Sequence, residues 1–458
     1  MEATEMHNKL ELMRQYFESQ ITKDISYRKN ILKNLYKTIV LYEKEIMQAL
    51  YEDLHKSHFE SFSTEIGLVL KEITYHIKHL KSWQKSEKKM MPFLFFPSTS
   101  KIIKEPYGLV LIIAPWNYPF QLLFSPLIGA ISAGNCIVLK TSPNAPATAK
   151  IMDKIIKTCF PEEYIAIYHG DRTVNQLLLS QRFNYIFYTG SPAVGKVVMK
   201  AAAENLTPLT LELGGKSPCI VDKDANIQIA AHRIVWGKTI NSGQTCIAPD
   251  YLFVHKSIKD ELIIAMKQAV KVMFGDSPDL SSDYPRIVSQ SAMKRLISYL
   301  DKGNIVFGGN FDLEDKYFEP TVIDNLPNDA EILSEEIFGP IFPLMTFDDI
   351  EEVITYINER EKPLALYFFT KNKKQINKML RQTSSGGVCI NDTIIHVANH
   401  RLPFGGVGNS GMGAYHGKYS FDTFTHKKAT VMSSISFDIP IKYPPYKGKF
   451  ETFKRLLK

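Results

Sequence analysis

The alternation of short apolar runs with helical stretches between Gly108 and Leu213 limits the fold of this chain more than any other feature. The apolar runs are GLVLIIA (108–114), CIVLK (136–140), Tyr164–Tyr168, NYIFYT (184–189) and Leu209–Leu213. Between them the pattern predicts helices over Phe120–Ala133, Pro146–Thr158, Thr173–Leu179 and Ser191–Ala203. Strands joined this way need right-handed crossovers, and the resulting sheet is parallel and doubly wound. Ligands of such sheets bind beyond the carboxyl ends of the strands. Here those ends carry Pro115-Trp116-Asn117, Lys140-Thr141-Ser142 and Thr189-Gly190-Ser191, all polar or glycine-bearing exits from apolar strands.

A second alternating stretch implies a second α/β domain of similar size. It runs through PCIVD (218–222), a helix over Ile227–Asn241, YLFVH (251–255), a helix over Ile258–Val272 and a helical region over 284–301. Strands near 304–307 and 320–323, a 349–358 helix, LALYFFT (364–370) and GGVCIN (386–391) follow. Before the first sheet, residues 8–84 read as helical; the MPFLFFP stretch is irregular, and the 432–447 tail is strand-like and then proline-rich. A length of 458 residues accommodates two large domains, and 45% hydrophobic with 22% charged residues excludes disorder and fibrous classes. The net charge of +7 is spread along the chain and does not indicate nucleic acid. Five cysteines without C-x-x-C spacing, and an N-terminus without a secretory apolar core, point to a reduced cytoplasm. The apolar segment 108–140 is broken by Pro115, Asn117, Pro119, Gln121 and Pro126, so no spanning helix is expected there.

Four constellations carry chemistry. Cys246 ends Asn241-Ser-Gly-Gln-Thr-Cys, where Gly243 is expected to terminate a helix and leave the thiol on an exposed connection. A cysteine is more often a small buried hydrophobe, and Cys136, Cys159, Cys219 and Cys389 fit that description; Cys246 has the polar setting of a nucleophile. Glu212 ends an apolar strand just before Gly214-Gly215, where an apolar wall would lift its pKa into the range of a general base; the plainer reading is a solvated strand end. Asn117, between Pro115 and Pro119, is placed to donate its amide hydrogens to an oxyanion, or else serves turn geometry. In Gly190-Ser191-Pro-Ala-Val-Gly195, Ser191 suits a helix cap and Pro192 the first turn, which makes an anion-attracting helix N-terminus without the generic G-x-G-x-x-G fingerprint. Lys140 can supply a cation to a ribose or phosphate, although strand-end lysines are usually just solvated.

Together these pieces resemble the aldehyde dehydrogenase superfamily. PWNYP (115–119), GSPAVG (190–195), LELGGK (211–216), GQTC (243–246), EEIFGP (335–340) and LPFGGVGNSGMGAYHGKYSFDTFTH (402–426) occur in the family's order, and the last is most like the class 3 branch for fatty and aromatic aldehydes. The resemblance implies an α/β fold with a Rossmann-type cofactor domain (1–84 and 106–211), an α/β catalytic domain (212–420), a small bridging or oligomerisation element (85–105 and 421–445) and a C-terminal tail (446–458). It implies Cys246 as nucleophile, Glu212 as base, and Asn117 with the Cys246 backbone amide as oxyanion hole. Glu336 and Phe338 would hold the nicotinamide ribose and ring, Lys140 the adenosine ribose and Ser191 the pyrophosphate, with Trp116, Gly190 and Gly195 completing the cofactor set.

The implied reaction is oxidation of an aldehyde with NAD or NADP in a homodimer. The family often carries a glutamate three residues after the lysine, at the adenosine 2′-hydroxyl; Pro143 stands there, so weaker rejection of a 2′-phosphate and dual NAD/NADP use are expected. A CoA-acylating enzyme or a non-catalytic binding protein of the same fold are the alternatives; the intact Cys246, Glu212 and Asn117 argue against the binding protein, and the retained Glu212 favours hydrolysis over transfer to CoA. His396, His400, His416 and His426 cluster near the C-terminus without an adjacent acid, so no metal site is expected. Phe450, Phe453, Leu456 and Leu457 with Lys447, Lys449, Lys454, Arg455 and Lys458 compose a short amphipathic segment that would touch anionic lipid weakly or fold onto a subunit.

Overall fold

The computed structural model describes residues 3–92 and 95–456. Two parallel sheets form its centre. In the first, the order is Gly411–Met412, Leu209–Leu213, Tyr185–Gly190, Leu109–Ile113, Cys136–Lys140, Ile165–Tyr168, all parallel except the antiparallel Gly411–Met412 edge. The chain winds outward in both directions from Leu109–Ile113, so the switch point of the sheet lies there and its crevice opens at Pro115-Trp116-Asn117. Every residue of that strand is buried, as expected of a strand covered on both faces.

The second sheet runs Asn304–Phe307, Thr321–Asp324, Ile341–Phe347, Tyr251–His255, Pro218–Val221, Ala365–Phe369, Gly387–Ile390, parallel beyond its first, antiparallel pair. A third, antiparallel sheet joins Glu87–Lys89, Thr99–Pro106 and Thr425–Met432, the last two in register from Thr425↔Pro106 to Met432↔Thr99. This sheet therefore ties the middle of the chain to its C-terminal part.

The helix Pro119–Ala133 is buried along its whole length beneath the helices Ile25–Leu41 and Gly67–Trp83, which explains the near-membrane composition of this stretch. Among the described residues, no helix is long and apolar enough to cross a membrane. Three expectations need correction. The 284–301 region holds only the helix Gln290–Ile297, because Ser289 accepts from the Ala292 amide and starts it late, while the segment before it is a loop. The 432–447 tail is not strand-like: the strand ends at Met432, and Pro440, Pro444 and Pro445 offer no amide hydrogen to continue it. Gly411–Met412, inside the range read as the second domain, pairs instead with Leu211 and Glu212 of the first sheet. Phe93 and Leu94 of MPFLFFP lie outside the described residues.

Candidate active site

The helix Ile227–Thr239 stops earlier than its apolar pattern implies. Asn241, Ser242 and Gly243 then take φ of 51°, 49° and 75°, three consecutive left-handed residues that turn the chain sharply. Such geometry costs about 1–3 kcal/mol at each non-glycine residue and persists only when neighbours impose it. Here they do. The Asn241 amide donates to Glu60 Oε1 at 2.8 Å, and Asn241 Nδ2 donates to the carbonyls of Asn117 (2.8 Å) and Gln244 (3.1 Å). Gln244 in turn donates to the Arg286 carbonyl and accepts from the Val288 amide. The expectation of an exposed thiol is corrected by this geometry: the turn lays Cys246 on the floor of a cavity, half-buried.

The Cys246 thiol lies 3.6 Å from Glu212 Oε1. Glu212 is buried at the end of Leu209–Leu213, with its backbone paired to Thr189 on one side and Gly411 on the other. Burial pushes its carboxyl up to about 7. Burial, reinforced by the Glu212 and Glu336 charges, holds the Cys246 thiol well above its ordinary value. The two groups thus compete for charge, and a proton passing from sulfur to Glu212 is the way one thiolate forms without adding net charge.

Asn117 sits at the switch point, buried. Its carbonyl accepts from Lys56 Nζ at 2.9 Å, and its Nδ2 donates to the Gln244 carbonyl at 3.0 Å. An amide nitrogen carries two hydrogens, so one remains for a ligand oxygen. Below it, Lys56 pairs with Glu65 at 2.6 Å, both fully buried, and Glu65 Oε2 accepts the Phe120 and Gln121 amides at the start of the Pro119–Ala133 helix. Sequence reasoning missed this support because Lys56 and Glu65 lie in a helical segment without a motif.

The remaining candidates divide between two cavities. A cleft of about 1230 Å³ is lined by Ser191, Gly214, Gly215, Lys216, Arg295 and Glu336, among others. Ser191 Oγ accepts from the Val194 amide at 3.4 Å and caps the helix Pro192–Ala203, as its sequence predicts. The Glu336 carboxylate lies so close over Gly214 that a Cβ there would come within 2.1 Å of Oε2. Its Oε1 is buried without a partner, and burial, with Asp250 nearby, lifts the group to about 8. An orphaned carboxyl oxygen on an open cleft fits a ribose hydroxyl. Phe338, at φ 49°, meets the Trp116 ring edge-on at 5.5 Å. Gly190 closes its strand one residue before Ser191. Gly195 lies beneath the cleft, where a Cβ would come within 2.8 Å of the Leu213 side chain; it lets the helix approach the strand. Lys140 is buried and not solvated; its Nζ donates to the Thr141 and Gly170 carbonyls, both at 2.7 Å, and burial pulls it down to about 8. Beside it is a cavity of about 380 Å³ edged by Ser142, Pro143, Lys150, Asp153, Lys157 and His169.

On the other side of Cys246 is a cavity of about 650 Å³ whose wall is mostly apolar, with Leu122, Trp236, Ile247, Met273, Phe274 and Ile394 prominent. These residues come from separate segments, and no sequence signal joins them. The histidines act locally: His400 Nδ1 and His76 Nε2 meet the two oxygens of Glu72 at 2.7 and 3.1 Å. Among the described residues, no group of three or more His, Cys, Asp or Glu side chains is placed to hold a metal.

Two mainly parallel sheets hold a thiol–carboxyl pair near an apolar cavity and an open cleft, in an α/β architecture. Residues 1–430 match the family described as the aldehyde dehydrogenase family, and the chain belongs to it. It is an enzyme of the class that oxidises aldehydes. It is 49% identical to 4,4'-diaponeurosporen-aldehyde dehydrogenase of Staphylococcus aureus (strain NCTC 8325 / PS 47), covering 97% of each chain. It is 43% identical to aldehyde dehydrogenase family 3 member A2 of Pongo abelii, over 97% of this chain and 94% of that one. The solved structure of the substrate-bound state of Staphylococcus aureus AldH superposes with a TM-score of 0.97 at 48% identity, covering 99% of both chains.

Proposed function

We propose that this chain oxidises medium- to long-chain aliphatic or aromatic aldehydes to carboxylic acids with NAD or NADP, through a covalent adduct on Cys246. One observation carries the reading: the Cys246 thiol, on the apolar cavity, lies 3.6 Å from the Glu212 carboxyl, whose strand leads directly into Gly214 and Gly215 of the cleft where Glu336 keeps an oxygen without a partner among the described residues. Glu212 withdraws the thiol proton, and the sulfur adds to the aldehyde carbonyl carbon. The free hydrogen of Asn117 Nδ2 and the Cys246 amide take the developing oxyanion. When bound, the dinucleotide supplies the hydride acceptor. Once the thiol proton has passed to solvent, the Glu212 carboxylate takes a proton from the water that attacks the thioester and returns it to the departing sulfur, which releases the acid and restores the thiol. Glu336 would hold the ribose hydroxyls nearest the reacting carbon, Phe338 and Trp116 would wall the ring, and Lys140 would meet the second ribose. Ser191 and its helix end would meet the pyrophosphate, which Gly190 and Gly195 let approach.

Incubating the protein with NAD and an aldehyde, with and without CoA, tests the reading by absorbance of the reduced cofactor. Turnover without CoA supports it. Turnover only with CoA makes the chain an acylating enzyme, and no turnover makes it a binding protein. Cys246→Ser is expected to abolish reduction, and full speed in that variant would refute the covalent step.

The finer assignments belong to the same reading. Pro143 stands where the family often has a glutamate, and although Asp153 edges the neighbouring cavity it is paired with Lys157 at 2.8 Å and has Lys150 as a further cation on the same rim, which supports dual use of NAD and NADP. The three sheets are read as cofactor domain, catalytic domain and bridging element. The Thr425–Met432 strand, at an edge of its sheet and mostly exposed, is the surface through which a homodimer would form. Phe450 is exposed on the helix Phe450–Leu456 beside Lys449 and Lys454, which supports weak contact with anionic lipid; Leu457 and Lys458 lie outside the described residues. Five free cysteines support the cytoplasm as its location.

A further inference from the structure

The wall of the apolar cavity holds carboxyl groups that the mechanism does not use, and Glu60 is the buried one of them. Glu60 is buried, with 9% of its surface exposed, and lines the same cavity as Cys246. Its Oε1 accepts the Asn241 amide at 2.8 Å, while Oε2 has no hydrogen-bond partner among the described residues. The hydroxyls around it do not compensate for that. Thr64 Oγ1 and Ser63 Oγ donate to the Glu60 carbonyl at 2.7 and 3.4 Å, and Ser57 Oγ accepts the Glu60 amide at 3.2 Å. Lys56, the cation nearest by chain position, is committed to Glu65 and the Asn117 carbonyl. Asp283 adds a second carboxylate to the lining, and among the described residues no Lys, Arg or His lines this cavity.

A cavity of low dielectric whose acids are carboxyls and which has no lining cation is hostile to an anion and tolerant of neutral groups. A carboxyl with a spare oxygen also accepts a hydrogen bond from a hydroxyl. We propose that Glu60 sets the charge selectivity of the substrate cavity, excluding aldehydes that carry a carboxylate at the far end and admitting neutral or hydroxyl-bearing ones. This rests on the aldehyde-oxidising reading above and narrows its substrate class.

Burial lifts the Glu60 carboxyl to about 7, with Lys56 opposing and Glu65 and Asp283 adding to the rise. The exclusion of anions therefore strengthens as pH rises through about 7. The other groups that face Glu60 are Tyr118, held to the Thr245 hydroxyl, and the Cys246 thiol on the cavity floor. Cys246 is common to every substrate, so its titration cancels in a ratio of two kcat/KM values.

The test uses the full-length protein with hexanal, ω-hydroxyhexanal, and the semialdehydes of succinate, adipate and suberate. Wild type is expected to prefer the neutral aldehydes over the carboxylated ones by about tenfold or more, and Glu60→Gln to narrow that ratio by about tenfold. Gln keeps an oxygen for the Asn241 amide. Equal use of neutral and carboxylated aldehydes by wild type, or a ratio unmoved in the variant, overturns the proposal. A second measurement needs no turnover: the rates at which iodoacetamide and iodoacetate alkylate Cys246, each relative to free cysteine. In wild type the neutral reagent is expected to be favoured increasingly as pH passes about 7, and Glu60→Gln to flatten that trend. A flat wild-type ratio overturns the proposal even if the variant does not fold. If no aldehyde is oxidised but the alkylation ratio behaves as expected, the aldehyde reading fails while the charge gate at Glu60 stands.

Discussion

Glu212 makes the protein choose between stability and chemistry. Its folded-state carboxyl binds a proton more tightly than an ordinary one, with the pKa raised from 4.5 to about 7 by burial. The stability linked to that proton is whole below about pH 4.5 and lost as pH rises through about 7. Glu212→Gln removes the titration. The variant is expected to gain up to about 3 kcal/mol relative to wild type above neutrality and nothing in acid, read as Tm against pH. It is also expected to lose turnover at both steps that need this base, formation of the thiolate and activation of water. Asn117→Ala should lower kcat by roughly 10²–10³-fold with little change in aldehyde KM, measured by steady-state kinetics. Glu212, Asn117 and Cys246 could be singled out in the sequence as candidates because each stands at a strand or helix exit within a dense motif. Glu60 could not, since a lone acid in a helical segment looks solvated until the fold shows what covers it.

Among the elements, the Pro119–Ala133 helix and the turn before it are held from below by the Lys56–Glu65 pair. Glu65→Gln keeps an oxygen for the two helix-start amides but leaves the buried Lys56 without its counter-charge, so a loss of about 3–5 kcal/mol is expected in urea unfolding. Gly195→Ala drives a methyl against the Leu213 side chain; about 1–3 kcal/mol of destabilisation and weaker dinucleotide binding should follow, by calorimetry. At Gly214 a Cβ would meet the Glu336 carboxylate and push it from its place over the cleft. The strands of the first sheet could be placed from sequence because each is a continuous apolar run between turn signals. The Asn241–Gly243 turn could not, since its left-handed residues are held by Glu60 and Asn117 from elsewhere in the chain. The late start of Gln290–Ile297 was hidden in the same way, by a serine cap inside a uniformly helical pattern.

For the whole molecule, the exposed Thr425–Met432 edge predicts a dimer in sedimentation equilibrium, and proline substitution at Ala429, in the middle of that strand, should shift the protein toward monomer. Deleting 447–458 should reduce co-sedimentation with anionic liposomes, and unchanged sedimentation removes the lipid contact from the reading. Comparing kcat/KM for NAD and NADP settles dual use; a preference for NAD above roughly a thousandfold, about 4 kcal/mol, is against it. The two-sheet layout was legible because strand and helix periods differ so clearly. Which late segment returns to which sheet was not, because two paired residues at Gly411–Met412 leave no periodic trace. That return has a temporal meaning. A ribosome must release more than four hundred residues before the flank of the Glu212 strand is covered. A growing polypeptide thus carries a bare strand edge until synthesis is nearly finished, and premature termination would yield a fragment with that edge open to pairing.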